Sequence, residues 1–318
     1  MRVGVLDDFH GVFDSDPAIA RLRERVPVDV LTEHVDADRL RPYQILIAQR
    51  ERTKFDAALF AALPELELVA NTGNHAYHVD LAAAANADVI VALGSSDLSE
   101  MARMAASTIE ITFALMLAVM RRVAQTDAAM RRHEWPQPLG YTLSGKTLGI
   151  LGLGRIGREV ARIAQAFGMA VIAWGPTLTD ERAAASGARR MELDALLEAA
   201  EVVSVHVALS DKSRGLLDES RLRRIGPRGF LVNTARGAII DEAALGRVLA
   251  DGGIAGAGLD VFVTEPLPRE SPLLRLDNVV MTPHLGWPAD QTYRYMAEAV
   301  VRIVEAHLDG KPFKRLTP

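Results

Sequence analysis

Residues 147–157 read "TLGILGLGRIG": a short apolar run, then Gly152, Gly154 and Gly157 in G-x-G-x-x-G spacing, followed by the helix-like segment "REVARIAQAFG". That order constrains the chain more than any other feature. The first glycine permits a tight turn after a strand, the second lets the backbone approach a ligand, and the third lets helix and strand pack closely. The helix then points unpaired N–H groups at the turn, where a pyrophosphate is held. A second apolar run, "AVIAW" at 170–174, completes a strand–helix–strand unit of a dinucleotide-binding sheet.

In such units an acidic residue about 20 positions on grips the adenosine ribose. Gly175 stands there, inside "AWGPTLTD". Without a carboxylate to repel a 2′-phosphate, NADP is admitted beside NAD, and Thr177 or Thr179 can offer it a hydroxyl. No Arg appears before Arg182, so the stretch does not select NADP strongly either.

Alternation of strand and helix runs through most of the chain. "RVGVL" (2–6), "VDVLT" (28–32), "QILIA" (44–48), "LELVAN" (66–71) and "DVIVAL" (88–93) read as buried strands separated by helical segments. This pattern predicts a parallel sheet covered on both faces. From Lys146 a second series supplies six strands: "TLGILG", "AVIAW", "EVVSVHV", "GFLVNTA", "IAGAGLDVF" and "NVVMTPH". Between the two series, residues 97–123 predict one helix of more than 20 residues, with Asp97 and Glu100 at capping-box spacing. A Pro- and Gly-rich arm at 131–145 follows it. A last amphipathic helix, about 289–308, carries Met296, Val300, Ile303 and Val304 on one face.

Composition narrows the function classes. A net charge of −5, with only five Lys and the basic residues scattered, gives no footprint for nucleic acid or an anionic membrane. Cys is absent, which removes disulfides, thiolate metal sites and a Cys nucleophile. The longest apolar stretch, "ITFALMLAVM", is too short to span a bilayer, and the first residues lack signal-peptide anatomy, so the expected compartment is the cytoplasm.

Three stretches in the second series end in reactive side chains just past an apolar run: "VNTARGAIID" with Arg236, "LDVFVTEPLP" with Glu265 and "MTPHLGW" with His284. Ligands of open α/β sheets bind at such strand ends. Together the three suit reduction of a 2-oxo acid. A guanidinium binds the carboxylate and carbonyl, a protonated His donates to the developing alkoxide, and a carboxylate holds that His protonated and oriented.

With these residues in place the sequence resembles the D-isomer-specific 2-hydroxyacid dehydrogenase family. The resemblance rests on "GLGRIG", "VVSVHVALSDKSRGLLD", "GFLVNTARGAIIDEAAL", "GAGLDVFVTEPLP" and "NVVMTPHLGW". It is specific over about 146–287 and architectural over the first 95 residues. It implies an α/β chain in which a Rossmann-type doubly wound parallel-sheet domain (99–287) is inserted into a smaller flavodoxin-like domain (1–98 and 288–318). The active site is then expected in the cleft between them, with hinge closure excluding water.

Residue by residue, the resemblance makes Arg236 the substrate-binding Arg, His284 the acid/base and Glu265 its partner. Cofactor contacts fall to Gly152, Gly154, Arg155, Ile156, Gly157, Gly175, His206, Val207, Thr234, Ala235, Asp260, His284 and Gly286. Thr72, Gly73 and Asn74 resemble the loop whose amides hold the substrate carboxylate, and Trp287 stands near the nicotinamide or hinge. Arg50 and Arg52 are open to a ligand role or a surface ion pair. The long helix 97–123 and the arm 131–145 resemble dimerisation elements, with Trp135 reaching a neighbouring cleft. No metal is expected.

The chain departs from the family pattern at three places. "ALGSSDLSE" replaces the Asn-x-Pro-Gly segment before the long helix, "HVAL" stands where His-x-Pro-Leu is usual, and "HLGW" replaces a Gly-Gly ending. The expected reaction is hydride transfer between NAD(P)H and a small 2-oxo acid of the glyoxylate or hydroxypyruvate type, giving a D-2-hydroxy acid. The alternative is a nucleotide-sensing binding or corepressor protein on the same fold; intact Arg236, Glu265 and His284 weigh against it.

Overall fold

The computed structural model describes residues 1–73, 75–94 and 98–317, with residues 98–104 described by backbone alone. The chain divides into two compact units, Met1–Met104 with Pro288–Pro318, and Ala105–Trp287. The second interrupts the first in sequence.

In the discontinuous unit the strands are β1 (Val3–Val5), β2 (Val28–Val30), β3 (Ile45–Gln49), β4 (Leu68–Thr72) and β5 (Ile90–Leu93). Helices α1 (Pro17–Arg23), α2 (Ala37–Leu40), α3 (Ala57–Ala62) and α4 (Leu81–Asn86) alternate with them. All pairings are parallel, in the order β2-β1-β3-β4-β5, the flavodoxin-like arrangement. Asp supplies the cap of every one of these helices: Asp16, Asp36, Asp56 and Asp80 each accept a first-turn N–H. The C-terminal segment lies along the edge strand β5. The Val91 N–H donates to Thr317 Oγ1 at 3.0 Å, Thr317 Oγ1 donates to the Val89 carbonyl at 3.2 Å, and Leu316 N donates to the Val91 carbonyl at 2.7 Å.

Helix α5 (Leu98–Arg121) leads into the inserted unit and is followed by α6 (Val123–Arg131). The sequence predicts unbroken helix to 123. The break falls at Arg122, whose φ of 56° is left-handed, and no Gly or Pro announces it. Asp97 and Asn74 lie outside the described residues, as does the Glu100 side chain.

The inserted unit continues with β6 (Thr147–Leu151), α7 (Arg155–Ala166), β7 (Ala170–Trp174), α8 (Asp180–Ala184), β8 (Arg189–Arg190), α9 (Leu193–Ala199), β9 (Val202–Val205), α10 (Glu219–Ile225), β10 (Phe230–Asn233), α11 (Glu242–Ala250), β11 (Gly256–Leu259) and β12 (Val279–Met281). Seven parallel strands pair in the order β12-β11-β10-β9-β6-β7-β8. This is a Rossmann-type doubly wound sheet, with its order reversing between β6 and β9. Both faces are buried. One packs Leu196, Leu222, Leu245 and Val248 of α9–α11 against Val203 and Leu231; the other packs Phe113, Met116, Val160 and Ala164 of α5 and α7 against Ile150 and Val232. The two-residue strand β8 escapes the sequence reading because a pair of Arg carries no apolar run. Helix α12 (Asp290–Leu308) belongs to the discontinuous unit and buries Met296, Val300, Ile303 and Val304 as predicted.

Candidate active site

The glycine turn has the shape its spacing predicts. Gly152 has φ of 100°, and a Cβ there would lie 2.5 Å from the Val207 nitrogen, so only glycine fits. A Cβ on Gly157 would overlap the Gly152 carbonyl oxygen, which lets α7 sit tightly on β6. At Gly154 nothing stands within 4 Å of a Cβ, so that side of the turn is open. Gly154 also caps α7 without a side-chain hydrogen bond, unlike the Asp-capped helices. The first-turn N–H groups, those of Arg155 and Ile156 among them, are left for an outside acceptor. The cradle therefore fits a dinucleotide pyrophosphate.

At the end of β7, Gly175 has room for a side chain. A Cβ there would meet only Leu178 Cβ, at an ordinary 3.5 Å. Of the two nearby hydroxyls, Thr179 is engaged: it accepts from Arg182 N at 3.3 Å as the cap of α8 and hydrogen-bonds Glu181. Thr177 is exposed, and its carbonyl holds the Arg182 guanidinium at 2.8 Å. His206 and Val207, past β9, form the wall against Gly152. Burial lowers His206 to about 4, so its ring is neutral, and its Nε2 lies 2.8 Å from Ser204 Oγ.

Arg236 follows β10 on a loop that a buried Asn shapes. Asn233 Oδ1 accepts from Ala235 N at 3.0 Å, and its Nδ2 donates to the Arg236 carbonyl at 3.0 Å. The exposed Arg236 guanidinium donates to the Ala235 carbonyl at 2.7 Å. Gly237 packs directly on the Phe262–Val263 backbone, where a Cβ would overlap it. That close approach joins the Arg236 loop to the segment leading to Glu265. Sequence reasoning passed over Asn233, although its spacing of three before Arg236 suits a loop staple.

Glu265 is held at both oxygens. Oε1 accepts from Phe262 N at 2.9 Å, and Oε2 lies 2.7 Å from His284 Nδ1. His284 itself has φ of 57°, left-handed for a non-glycine residue. Asp260, fully buried, holds that conformation. Its carboxylate accepts from Thr282 Oγ1 at 2.5 Å, Leu285 N at 2.7 Å and Gly286 N at 2.8 Å, while its carbonyl accepts from His284 N at 2.9 Å. Burial pushes the Asp260 carboxyl above its ordinary value, and those three donors pull against it. Because Nδ1 faces the carboxylate, Nε2 is the ring nitrogen left for a reacting group. Trp287 is half-buried at the end of this loop.

In the discontinuous unit, Thr72 is buried at the end of β4, and its Oγ1 accepts from Arg50 N at 3.0 Å. Gly73 follows with φ of 121°. Arg50 Nε lies 3.5 Å from Glu51, whose other oxygen lies 2.9 Å from His75 Nε2. Burial would raise the Glu51 carboxyl, but the His75 hydrogen bond and the Arg50 and His75 charges overcome it and bring it to about 2. Arg52 donates to the Asp7 carbonyl at 2.5 Å and to Gln49 Oε1 at 3.1 Å. Among the described residues no group of His, Asp and Glu is placed to hold a metal ion, and no helix is long and apolar enough to cross a membrane.

Comparison with known proteins fits this arrangement. Residues 113–286 match the family model described as D-isomer specific 2-hydroxyacid dehydrogenase, NAD binding domain. The chain is similar to a glyoxylate reductase of Korarchaeum cryptofilum, 37% identical over 80% of this chain and 77% of the relative. It is also similar to a D-3-phosphoglycerate dehydrogenase of Mycobacterium tuberculosis, 40% identical over 74% of this chain but only 44% of that longer relative. Among solved structures, a phosphoglycerate oxidoreductase from Vibrio cholerae superposes with a TM-score of 0.85 at 30% identity, covering 98% of this chain and 99% of the other.

Proposed function

Because the chain belongs to the D-isomer specific 2-hydroxyacid dehydrogenase family, and as such is an NAD(P)-linked oxidoreductase, we propose that it reduces the carbonyl of a small 2-oxo acid to the D-2-hydroxy acid. The observation that carries this reading is the 2.7 Å contact of His284 Nδ1 with Glu265 Oε2, on a loop pinned by Asp260. NAD(P)H supplies the hydride when bound. His284, oriented by Glu265 at Nδ1, gives an Nε2 proton to the carbonyl oxygen as charge develops there. Arg236 binds the carboxylate and polarises the carbonyl with a planar, two-pronged donor set.

In this reading Gly152, Gly154, Arg155, Ile156 and Gly157 hold the pyrophosphate. Gly175, His206 and Val207 line the adenosine, and Thr234, Ala235, Asp260, His284 and Gly286 line the nicotinamide. The discontinuous unit is the substrate domain, with the amides of Thr72, Gly73 and Asn74 on the carboxylate and Trp287 beside the substrate. Glyoxylate or hydroxypyruvate is the favoured substrate, supported by the glyoxylate reductase among its relatives. NADP is admitted by the missing carboxylate at Gly175. The enzyme works as a homodimer in the cytoplasm; exposed Val123, Met130, Trp135 and Leu139 on α6 and the arm support the dimer.

The test is absorbance loss of NADH or NADPH with a panel of glyoxylate, hydroxypyruvate, 3-phosphohydroxypyruvate, pyruvate and bulkier 2-oxo acids. Turnover fastest with glyoxylate or hydroxypyruvate supports the reading. Turnover confined to the phosphorylated acid replaces the substrate, and none with any acid removes the reaction in favour of a nucleotide-sensing protein.

A further inference from the structure

Helix α5 is apolar through most of its buried length, yet it carries Ser107, Thr108 and Thr112. Ser107 is 7% exposed and Thr112 not at all. A buried hydroxyl is costly unless bonded, so its partners define its purpose. Ser107 Oγ and Thr108 Oγ1 both donate to the Gly286 carbonyl, at 2.8 and 2.6 Å. Thr112 Oγ1 donates to the Thr108 carbonyl at 2.7 Å and lies 2.8 Å from Thr234 Oγ1. A hydroxyl has one proton, and a carbonyl can only accept. Thr112 spends its proton on Thr108, so in the second contact Thr234 is the donor.

The endpoints of these bonds are specific. Thr234 stands two residues before Arg236, and Gly286 two residues after His284. We propose that Ser107, Thr108 and Thr112 form a brace that ties the Arg236 loop and the His284 loop to one rigid helix, setting the spacing of guanidinium and imidazole. They are positioning residues, acting through the loops they hold. The inference rests on the reduction proposed above. Its reason is physical: displacements of about 1 Å among reacting groups cost up to about a hundredfold in rate, while loops alone tolerate such shifts.

Two variants and a control test the brace. T112V removes the acceptor of Thr234 at nearly constant shape, S107A/T108V removes both donors to Gly286, and T112S keeps the hydroxyl. Measured on the full chain are kcat and KM for its best 2-oxo acid, the kcat pH profile, NADH and NADPH affinity by fluorescence, and backbone amide exchange. T112V should lower kcat about tenfold or more with cofactor affinity within about threefold, and speed exchange at 234–237. T112S should recover most of the rate. S107A/T108V should speed exchange at 284–286 and move the pH profile of kcat.

Unchanged exchange in both loops overturns the brace even if no acid is turned over, which separates its failure from that of the proposed reaction. In an active enzyme, kcat within about twofold of the parent in both variants overturns it too. So does a loss that T112S fails to restore. If T112V does not fold, T112S and S107A/T108V decide alone.

Discussion

The carboxyl edges of the two sheets are built on opposite terms. In the inserted unit the polar groups at the edge are already engaged: Asp260 by three donors, Glu265 at both oxygens and Asn233 at both ends of its amide. In the discontinuous unit, buried polar atoms without a protein partner gather at the same edge. They are Asp8 Oδ1, Gln49 Nε2, Asn71 Oδ1, His75 Nδ1 and both ring nitrogens of His78. Each costs about 1–3 kcal/mol until a water or another group meets it. The difference separates two tasks. Groups proposed to move a proton are aligned before the reaction, because reorganising them during it would cost rate. Buried polar atoms of this kind complete their bonding with ordered water.

Breaking the aligned edge should give the largest effect. Replacing His284 with Ala is expected to lower kcat by about 10²–10⁴-fold, the range for loss of a general acid, while NADH still quenches protein fluorescence with similar affinity. Turnover within tenfold of the parent would assign the proton to another group.

Acid sensitivity sharpens the contrast next. His206 is lowered from 6.5 to about 4, so the folded state disfavours its protonation. Its contribution to stability is present above pH 6.5 and is lost as pH falls towards 4, on the order of 2–3 kcal/mol. H206Q should lose less stability than the parent across that window in urea unfolding, His78, also lowered by burial, still titrating in both. A parent and variant that decline in parallel would show that another group titrates.

Gly175→Asp probes the proposed adenosine side of the same edge. The site accepts a Cβ without crowding, and the new carboxylate should lower kcat/KM with NADPH about tenfold more than with NADH. Equal losses with both cofactors would place the 2′ position elsewhere.

The smallest effect falls on the open edge. Glu51 is lowered from 4.5 to about 2, so its share of stability is present above pH 4.5 and fades as pH falls through 2. Its side chain is 42% exposed, and screening reduces that share to about 1 kcal/mol. E51Q should narrow the acid loss below pH 4.5 by that amount while leaving the window between 6.5 and 4.5 unchanged. A change in the upper window instead would mean that the two edges titrate together.

Much of this was legible in residue order. Short, mostly apolar runs located eleven of the twelve strands, because a parallel strand covered on both faces is largely apolar. The missing strand, Arg189–Arg190, pairs by backbone alone. At the site, the stretches holding Arg236, Glu265 and His284 stood out because each puts a charge after an apolar run. What stayed hidden is made of contacts across sequence. Thr112 meets Thr234 from 122 positions away, and nothing in "ASTIEIT" distinguishes a bracing hydroxyl from an ordinary helix Thr. The left-handed Arg122 was equally silent, since a non-glycine break leaves no compositional mark.

The segment along β5 has a consequence of its own. An edge strand offers its free amides and carbonyls to any extended chain of suitable length. Here Leu316 and Thr317 occupy those of Val89 and Val91, and the threonine side chain imitates a neighbouring backbone by both accepting and donating. Residues far apart in the chain thus close the sheet against itself, and a stray strand arriving at this border finds its template already taken.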